Sequence, residues 1–242
     1  MGWKHLCCTR HPCILVGVKL HFLGGLPRSG STLLTTLLYQ NPLIYTEGIS
    51  VLCELMWQTH NAFSNAQAIP ANYREAHAHQ MVADLPALYY SENARPIVID
   101  KCRWWTTPNN VQMLKHYVTP QPKIIVLTRN PEDIIASFKS LFERNGRDDF
   151  DTSGMADEFN SNMANVQMAK DANDSNIFLF VEFEDLIGDT QNELNRIYEF
   201  LDMELFQHDL ANIVTMNPED DSVYGLTGMH DVRRTIGKRD AV

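Results

Sequence analysis

The chain has 242 residues, of which 44% are hydrophobic, and its formal net charge at pH 7 is -10. That length and apolar content suit one large domain over residues 1–242, with a core of two or three layers. The acidic balance argues against general binding of nucleic acid, which needs a basic face to displace the counterions of the phosphates. A nucleotide held in a local basic pocket is still compatible with an acidic surface.

The cysteines and the apolar segments indicate the cellular compartment, and they bear on metal binding and membrane association. Five cysteines lie at positions 7, 8, 13, 53 and 102, an uneven set without the paired CxxC units of a zinc site. Cys8 and Cys13 lie near His5 and His11, but an accidental cluster explains that spacing better than a metal site does. We therefore expect a cytoplasmic setting and no required metal. Because no segment approaches the roughly 18 apolar residues of a membrane span, we expect no membrane partner.

Short runs of branched apolar residues alternate with segments of helical character. The runs predict strands buried on both faces of a parallel sheet at residues 13–23, 96–100, 123–128 and 177–181. Proline and capping signals predict helices at residues 31–39, 108–117, 131–144, 155–172 and 192–201. The region 54–90 is less regular and could shape an acceptor pocket. Alternating strands and helices indicate an α/β architecture.

The turn after the first predicted strand carries the most specific motif. Residues 25–32 read GLPRSGST, with the glycine spacing of a phosphate-binding loop but with Ser31 in the place of the usual lysine. Unpaired amides at a helix start, together with the helix dipole, bind phosphate or sulfate. Gly25 and Gly30 allow a tight turn, Arg28 adds a guanidinium fork that suits a tetrahedral oxyanion, and the loop hydroxyls add donors. The missing lysine disfavours an ordinary ATPase.

A second anion-binding signal follows the strand predicted at residues 123–128. Arg129 would lie at the carboxyl end of that strand, where open α/β sheets bind ligands, and Ser137 about two turns into the next helix. The alternatives are an ion pair of Arg129 with Glu132 or Asp133 and an ordinary exposed position for Ser137. Considered with the glycine loop, the two residues indicate a nucleotide with anionic groups at both ends.

These motifs together resemble the sulfotransferases that use 3′-phosphoadenosine 5′-phosphosulfate (PAPS). The family's loop is similar to residues 27–32, and its arginine and serine for the 3′-phosphate match Arg129 and Ser137. The likeness runs from about residue 20 to residue 201 and includes the VEFEDL stretch at residues 181–186. The loop is closer to tyrosylprotein and related bacterial or phage sulfotransferases than to cytosolic small-molecule enzymes. The resemblance implies a P-loop-like three-layer fold with a central, mainly parallel sheet flanked by helices.

The resemblance also implies transfer of a sulfuryl group from PAPS to a hydroxyl or amine, which leaves adenosine 3′,5′-bisphosphate. The residues matched to nucleotide binding are Pro27, Arg28, Ser29, Gly30, Ser31, Thr32, Arg129 and Ser137. Arg28 and Lys101 would stabilise the leaving phosphate. Glu47 is the candidate base for the acceptor, and Glu54 is the alternative. The acceptor could be a small molecule, a glycan or a peptide.

Several positions depart from the family's pattern or leave the function open. Arg103 stands where cytosolic enzymes have a catalytic histidine, and Phe183 stands where relatives often have tyrosine. The basic, glycine-containing stretch at residues 225–239 could close over phosphate or be a solvated terminus. A P-loop nucleotide kinase or hydrolase and a non-catalytic nucleotide-binding protein of the same fold are the alternative functions.

Overall fold

The computed structural model describes residues 18–151, 153–215 and 218–236. Its strands are β1 Lys19–Gly25, β2 Ile44–Tyr45, β3 Ile97–Lys101, β4 Ile124–Thr128 and β5 Phe178–Glu182. They form one parallel sheet in the order β2-β3-β1-β4-β5. The predicted α/β class with a central parallel sheet is therefore confirmed.

Helices connect the strands and cover the sheet. They are α1 Ser31–Tyr39, α2 Leu52–Ser64, α3 Ala68–Ala71, α4 Glu75–Tyr89, α5 Pro108–Tyr117, α6 Pro131–Arg144, α7 Ser153–Ala172, α8 Phe183–Gly188 and α9 Thr190–Phe200. Short 3₁₀ helices lie at Arg103–Thr106 and Asp221–Tyr224. Within the described ranges, no helix has the length and apolar character needed to cross a bilayer.

Alternate residues of the central strands point into two separate hydrophobic cores. In β1, Phe22 belongs to one core and Leu23 to the other, and Ile124 and Ile125 of β4 divide in the same way. Helices α2, α4, α5 and α7 contribute to the first core, whereas α1 and α9 contribute to the second. Because successive side chains of a strand point to opposite faces, a run of buried branched residues needs a helical layer on each side. The three-layer arrangement follows from this pattern.

Most predicted boundaries agree with the structure. Helices α1, α5 and α6 begin and end at the predicted residues, and α7 and α9 begin two residues earlier than predicted. The first strand begins at Lys19, and residues 13–17 of the predicted run lie outside the described residues. The two-residue strand β2 was not predicted, because so short a segment has no periodicity of its own.

The chain after α9 returns to the carboxyl edge of the sheet, and residues 218–236 are called the C-terminal strap below. Asn145, which caps the end of α6, holds the strap at Thr227. The Asn145 amide donates to the Thr227 carbonyl at 3.0 Å, and its side-chain oxygen accepts from the Thr227 amide at 2.8 Å. The Ile213 amide also donates to the Arg234 carbonyl at 2.9 Å. The strap is therefore tied to the rest of the described chain near its middle and near its carboxyl end.

Candidate active site

The carboxyl ends of the parallel strands lie along one edge of the sheet. The glycine loop follows β1, Lys101 ends β3, and Arg129 follows β4. Glu47 lies two residues beyond β2. Open α/β sheets bind ligands at this edge. The topology therefore brings to one side of the sheet the candidate residues that are far apart in the sequence.

The two glycines of the loop are required by its backbone. Gly25 has a φ of +119°, and a Cβ there would lie 2.1 Å from the Leu127 carbonyl oxygen. Gly30 has a φ of +88°, and a Cβ there would lie 2.7 Å from the Phe183 ring. The loop therefore packs closely against β4 and α8. Gly30 also provides no side-chain cap for α1, so the first amides of that helix are available to an anion.

Arg28 extends from the loop toward α6. Its backbone is left-handed, with a φ of 54°, a conformation that is uncommon for a residue with a side chain. Its Nε donates to the Ser137 hydroxyl at 3.2 Å, and its Nη1 donates to the Met229 carbonyl in the C-terminal strap. The Ser29 hydroxyl donates to the Leu26 carbonyl at 2.5 Å. The Ser29 side chain therefore braces the turn.

Arg129 is joined to the glycine loop. Its Nη1 donates to the Arg28 carbonyl at 2.9 Å, and its guanidinium lies 4.2 Å from the centre of the Phe183 ring. Its ion pair is with Glu184, at 4.0 Å, and Asp133 of α6, one of the two partners in the alternative interpretation, also stabilises its charge. Burial lowers the pKa of Arg129, and its Nε is buried without a hydrogen-bond partner. An incoming anion would satisfy that donor.

Lys101 is almost fully buried, with 4% of its surface exposed. Its Nζ donates to Oε1 of Glu219 in the C-terminal strap, at 3.0 Å. Burial lowers the pKa of Lys101, and the Glu219 carboxylate opposes that shift by stabilising the ammonium. Lys101 therefore has an anionic partner that lies 118 positions away in the sequence.

Glu47 lines a small cavity together with Lys101. The Tyr45 hydroxyl donates to Oε2 of Glu47 at 2.7 Å. Residues of α1 also line the cavity, together with Glu219 and His230 of the C-terminal strap. Glu54, the alternative candidate for the base, is exposed on α2 and accepts a hydrogen bond from its helix neighbour Gln58. The geometry therefore favours Glu47 over Glu54.

A buried carboxylate next to Lys101 was not identified from the sequence. Asp100 accepts hydrogen bonds from the Ser50 hydroxyl, the Tyr90 hydroxyl and the Trp105 indole nitrogen, each at 2.6 Å. Burial raises the pKa of Asp100, and the three hydrogen bonds act in the opposite direction. The Ser50 amide also donates to the Lys101 carbonyl at 2.9 Å. This network fixes the end of β3, and an aspartate within an apolar run was its one signal in the sequence.

The acidic residues of the C-terminal strap were also missed, whereas His230 lies in the basic stretch 225–239 that the sequence singled out. Oδ1 of Asp221 lies 2.6 Å from Nδ1 of His230, and Nε2 of His230 lies 3.5 Å from Oε2 of Glu219. Glu219 and Asp221 belong to no motif, and they precede the basic stretch 225–239. Their position beside Lys101 is set by the path of the chain after α9.

Comparison with known proteins identifies the family. A sequence model described as the sulfotransferase family matches residues 21–208. The chain belongs to the sulfotransferase family. This membership supports sulfuryl transfer as the general activity. No curated protein sequence gives a significant match.

Solved sulfotransferase structures share the fold. The sulfotransferase domain from the Synechococcus PCC 7002 olefin synthase has a TM-score of 0.58 and 22% identity, covering 93% of this chain and 90% of that one. The sulfotransferase domain from the curacin biosynthetic pathway has a TM-score of 0.55 and 16% identity, covering 93% and 81%. A sulfotransferase from Alicyclobacillus acidocaldarius has a TM-score of 0.53 and 16% identity, covering 84% and 87%. At these identities the likeness establishes the fold.

Two unusual residues of this sulfotransferase have packing or surface roles. Arg103 forms an ion pair with Glu158 of α7 at 2.8 Å, and both side chains are exposed. The Phe183 ring lies against both Gly30 and the guanidinium of Arg129. A ring without a hydroxyl therefore supports the glycine loop and Arg129 through packing.

Across residues 18–151, 153–215 and 218–236, no three side chains of histidine, cysteine, aspartate or glutamate are grouped so as to hold a metal ion. Cys8, Cys13, His5 and His11 lie outside the described residues.

Proposed function

We propose that this sulfotransferase uses PAPS and transfers its sulfuryl group to a hydroxyl or amine, through one catalytic domain that spans residues 1–242. The observation that supports this most is the pair of cation sites flanking a glycine loop without lysine. Arg129 and Ser137 lie on the β4 side of the loop, and Lys101 lies on the β3 side. A nucleotide with a 3′-phosphate and a 5′-phosphosulfate has anionic groups at both ends and fits such a pair.

The residues would act on opposite sides of the reacting group. Arg129 and Ser137 would hold the 3′-phosphate, and the first amides of α1 would hold the 5′-phosphate. Lys101 would stabilise the charge that develops on the bridging oxygen as its bond to sulfur breaks. Arg28, which contacts Ser137, would neutralise the leaving phosphate from the β4 side.

Glu47 would accept the acceptor's proton as the acceptor oxygen or nitrogen forms its bond to sulfur. The products are then the sulfated acceptor, adenosine 3′,5′-bisphosphate and a proton on Glu47, which it later loses to solvent. As in phosphoryl transfer, positioning and fixed charge supply most of what the reaction needs. The mechanism requires no metal. We expect it to take place in the cytoplasm, on a small molecule, a glycan or a peptide, without a nucleic-acid or membrane partner.

Calorimetric titration with adenosine 3′,5′-bisphosphate and with ADP tests the donor assignment. We expect the bisphosphate to bind at least about tenfold more tightly, because one charge-assisted hydrogen bond to the 3′-phosphate contributes roughly 1.5–3 kcal/mol. Equal, weak binding of the two nucleotides would contradict the proposal. Transfer of label from ³⁵S-labelled PAPS to a panel of acceptors then tests turnover.

The same measurements separate the alternative functions. Magnesium-dependent turnover of ATP that is lost in Arg28→Ala would favour a kinase or hydrolase. Tight bisphosphate binding without transfer to any acceptor class would favour a non-catalytic nucleotide-binding protein.

A further inference from the structure

The C-terminal strap contacts both cations that the proposed mechanism assigns to the phosphosulfate. Glu219 pairs with Lys101 at 3.0 Å, and the Met229 carbonyl accepts a hydrogen bond from Nη1 of Arg28. One short segment therefore supplies negative or partially negative oxygen to each of them. These contacts are those that an anionic ligand would make with the same side chains.

The strap also fills the space beside Lys101. The cavity between α1, Glu47 and the strap has a volume of about 20 Å³. That volume holds about one water molecule. At Gly48 the fit is so close that a Cβ would lie 2.4 Å from Cγ of Glu219. A sulfuryl group and an acceptor atom cannot both enter this cavity while the strap keeps this position.

Glu219 lies in a row of polar side chains from β3 and the strap. Lys101, Glu219, His230 and Asp221 follow one another at separations of 3.0, 3.5 and 2.6 Å. The Asp221 carboxylate also accepts from the His230 amide at 3.0 Å, which closes the strap on itself. Away from the cations, Asn145 holds Thr227 through two hydrogen bonds. The closed position thus depends on contacts inside and outside the site.

We propose that the C-terminal strap is an autoinhibitory plug, in which Glu219 occupies the place of the incoming anion at Lys101 and is displaced when that anion binds. The identity of the anion that displaces Glu219 rests on the proposed function. A buried ammonium left without a counter-ion is strongly destabilised, whereas exchange of one anion for another keeps it paired. Opening of the strap is therefore coupled to anion binding. The fraction of molecules with a closed strap reduces the apparent affinity for the anion.

Two variants weaken the plug by different routes. Glu219→Gln removes the competing charge, and Asn145→Ala removes the anchor of Thr227 while leaving the Lys101 pair intact. We expect each to bind adenosine 3′,5′-bisphosphate more tightly at pH 7, by roughly tenfold if the strap is closed in about nine molecules of ten. Glu158→Gln is the matched control, because it removes an exposed carboxylate that pairs with Arg103. It should leave the affinity unchanged.

Amide hydrogen exchange shows whether the strap opens or closes when the bisphosphate binds. With the bisphosphate bound, we expect faster exchange at the Thr227 and His230 amides, whose side-chain acceptors are Asn145 and Asp221. Slower exchange there would show a strap that closes over the ligand and would overturn the proposal. Unchanged or weaker binding by both variants would also overturn it.

Inorganic sulfate separates this proposal from the proposed function. In one outcome the bisphosphate fails to bind while sulfate binds more tightly to both variants than to the wild type. That result would support the autoinhibitory strap and contradict the PAPS assignment. If the bisphosphate binds the wild type and both variants equally, the PAPS assignment stands and the plug is overturned.

Discussion

Lys101 and Arg129 lie at the carboxyl ends of the two strands that flank β1, yet their charges are compensated differently. Lys101 pairs with Glu219 at 3.0 Å, whereas the buried Nε of Arg129 has a carboxylate at 4.0 Å and no hydrogen-bond partner. A buried amine can lose its proton, so an ammonium needs a counter-ion, while a guanidinium stays charged without one. We therefore expect the Arg129 side to bind an anion directly, and the Lys101 side to bind one after its carboxylate leaves.

The largest expected effect comes from Lys101→Ala. Because the ammonium would stabilise charge that develops in the transition state, its loss should lower kcat by about a thousandfold, the upper range for one such donor. The affinity for adenosine 3′,5′-bisphosphate should change much less. Single-turnover transfer from labelled PAPS measures the first effect, and calorimetry measures the second. Lys139→Ala, at an exposed lysine of α6, is the control. A Lys101 variant with near-normal kcat would remove this residue from the reacting centre.

Glu47→Gln should have the next largest effect on turnover. Loss of a positioned base commonly lowers kcat by about a hundredfold or more, and the amide should leave nucleotide binding nearly unchanged. Glu54→Gln provides the matched control on exposed α2 and should retain full activity. Rate measurements that show the reverse pattern would transfer the role of base to Glu54.

Arg129→Ala should affect binding more than turnover. The loss of a charge-assisted contact to the 3′-phosphate should weaken bisphosphate binding by about 2 kcal/mol, or roughly thirtyfold in Kd. Binding of ADP, which has no 3′-phosphate, should change little. Arg147→Ala, at an exposed arginine paired with Asp149, is the control. Equal losses for both nucleotides in calorimetry would place Arg129 outside the 3′-phosphate site.

The smallest effect is a difference in pH dependence between the two cations. Burial lowers the pKa of Lys101, and catalysis needs the protonated form, so kcat should fall as the pH rises through that lowered value. Bisphosphate affinity at Arg129 should persist over the same range, because arginine keeps its proton. Rate profiles between pH 7 and 10 test this, and Lys101→Arg should move any decline to higher pH. A decline that is identical in Lys101→Arg would assign it to another group.

Local sequence signals predicted the surroundings of Arg129 better than those of Lys101. Arg129 and Ser137 belong to one strand and the helix that follows it, and the glycine loop joins β1 directly to α1. Short-range steric and capping rules determine such units. Lys101 could be assigned only through the resemblance, because its neighbours in space come from distant parts of the chain. Apart from an aspartate within an apolar run, no local signal predicts the hydrogen bonds that Ser50, Tyr90 and Trp105 donate to Asp100.

The sequence by itself determined the alternation of strands and helices, the bounds of α1, α5 and α6, and the position of the glycine loop between β1 and α1. These features depend on periodicity, glycine geometry and capping, which act over a few residues. Tertiary structure alone decided which oxygen faces each cation. Glu219 reaches Lys101 across 118 positions, and Met229 reaches Arg28 across 201. Contacts at such separations depend on how the whole chain packs, so no local pattern encodes them.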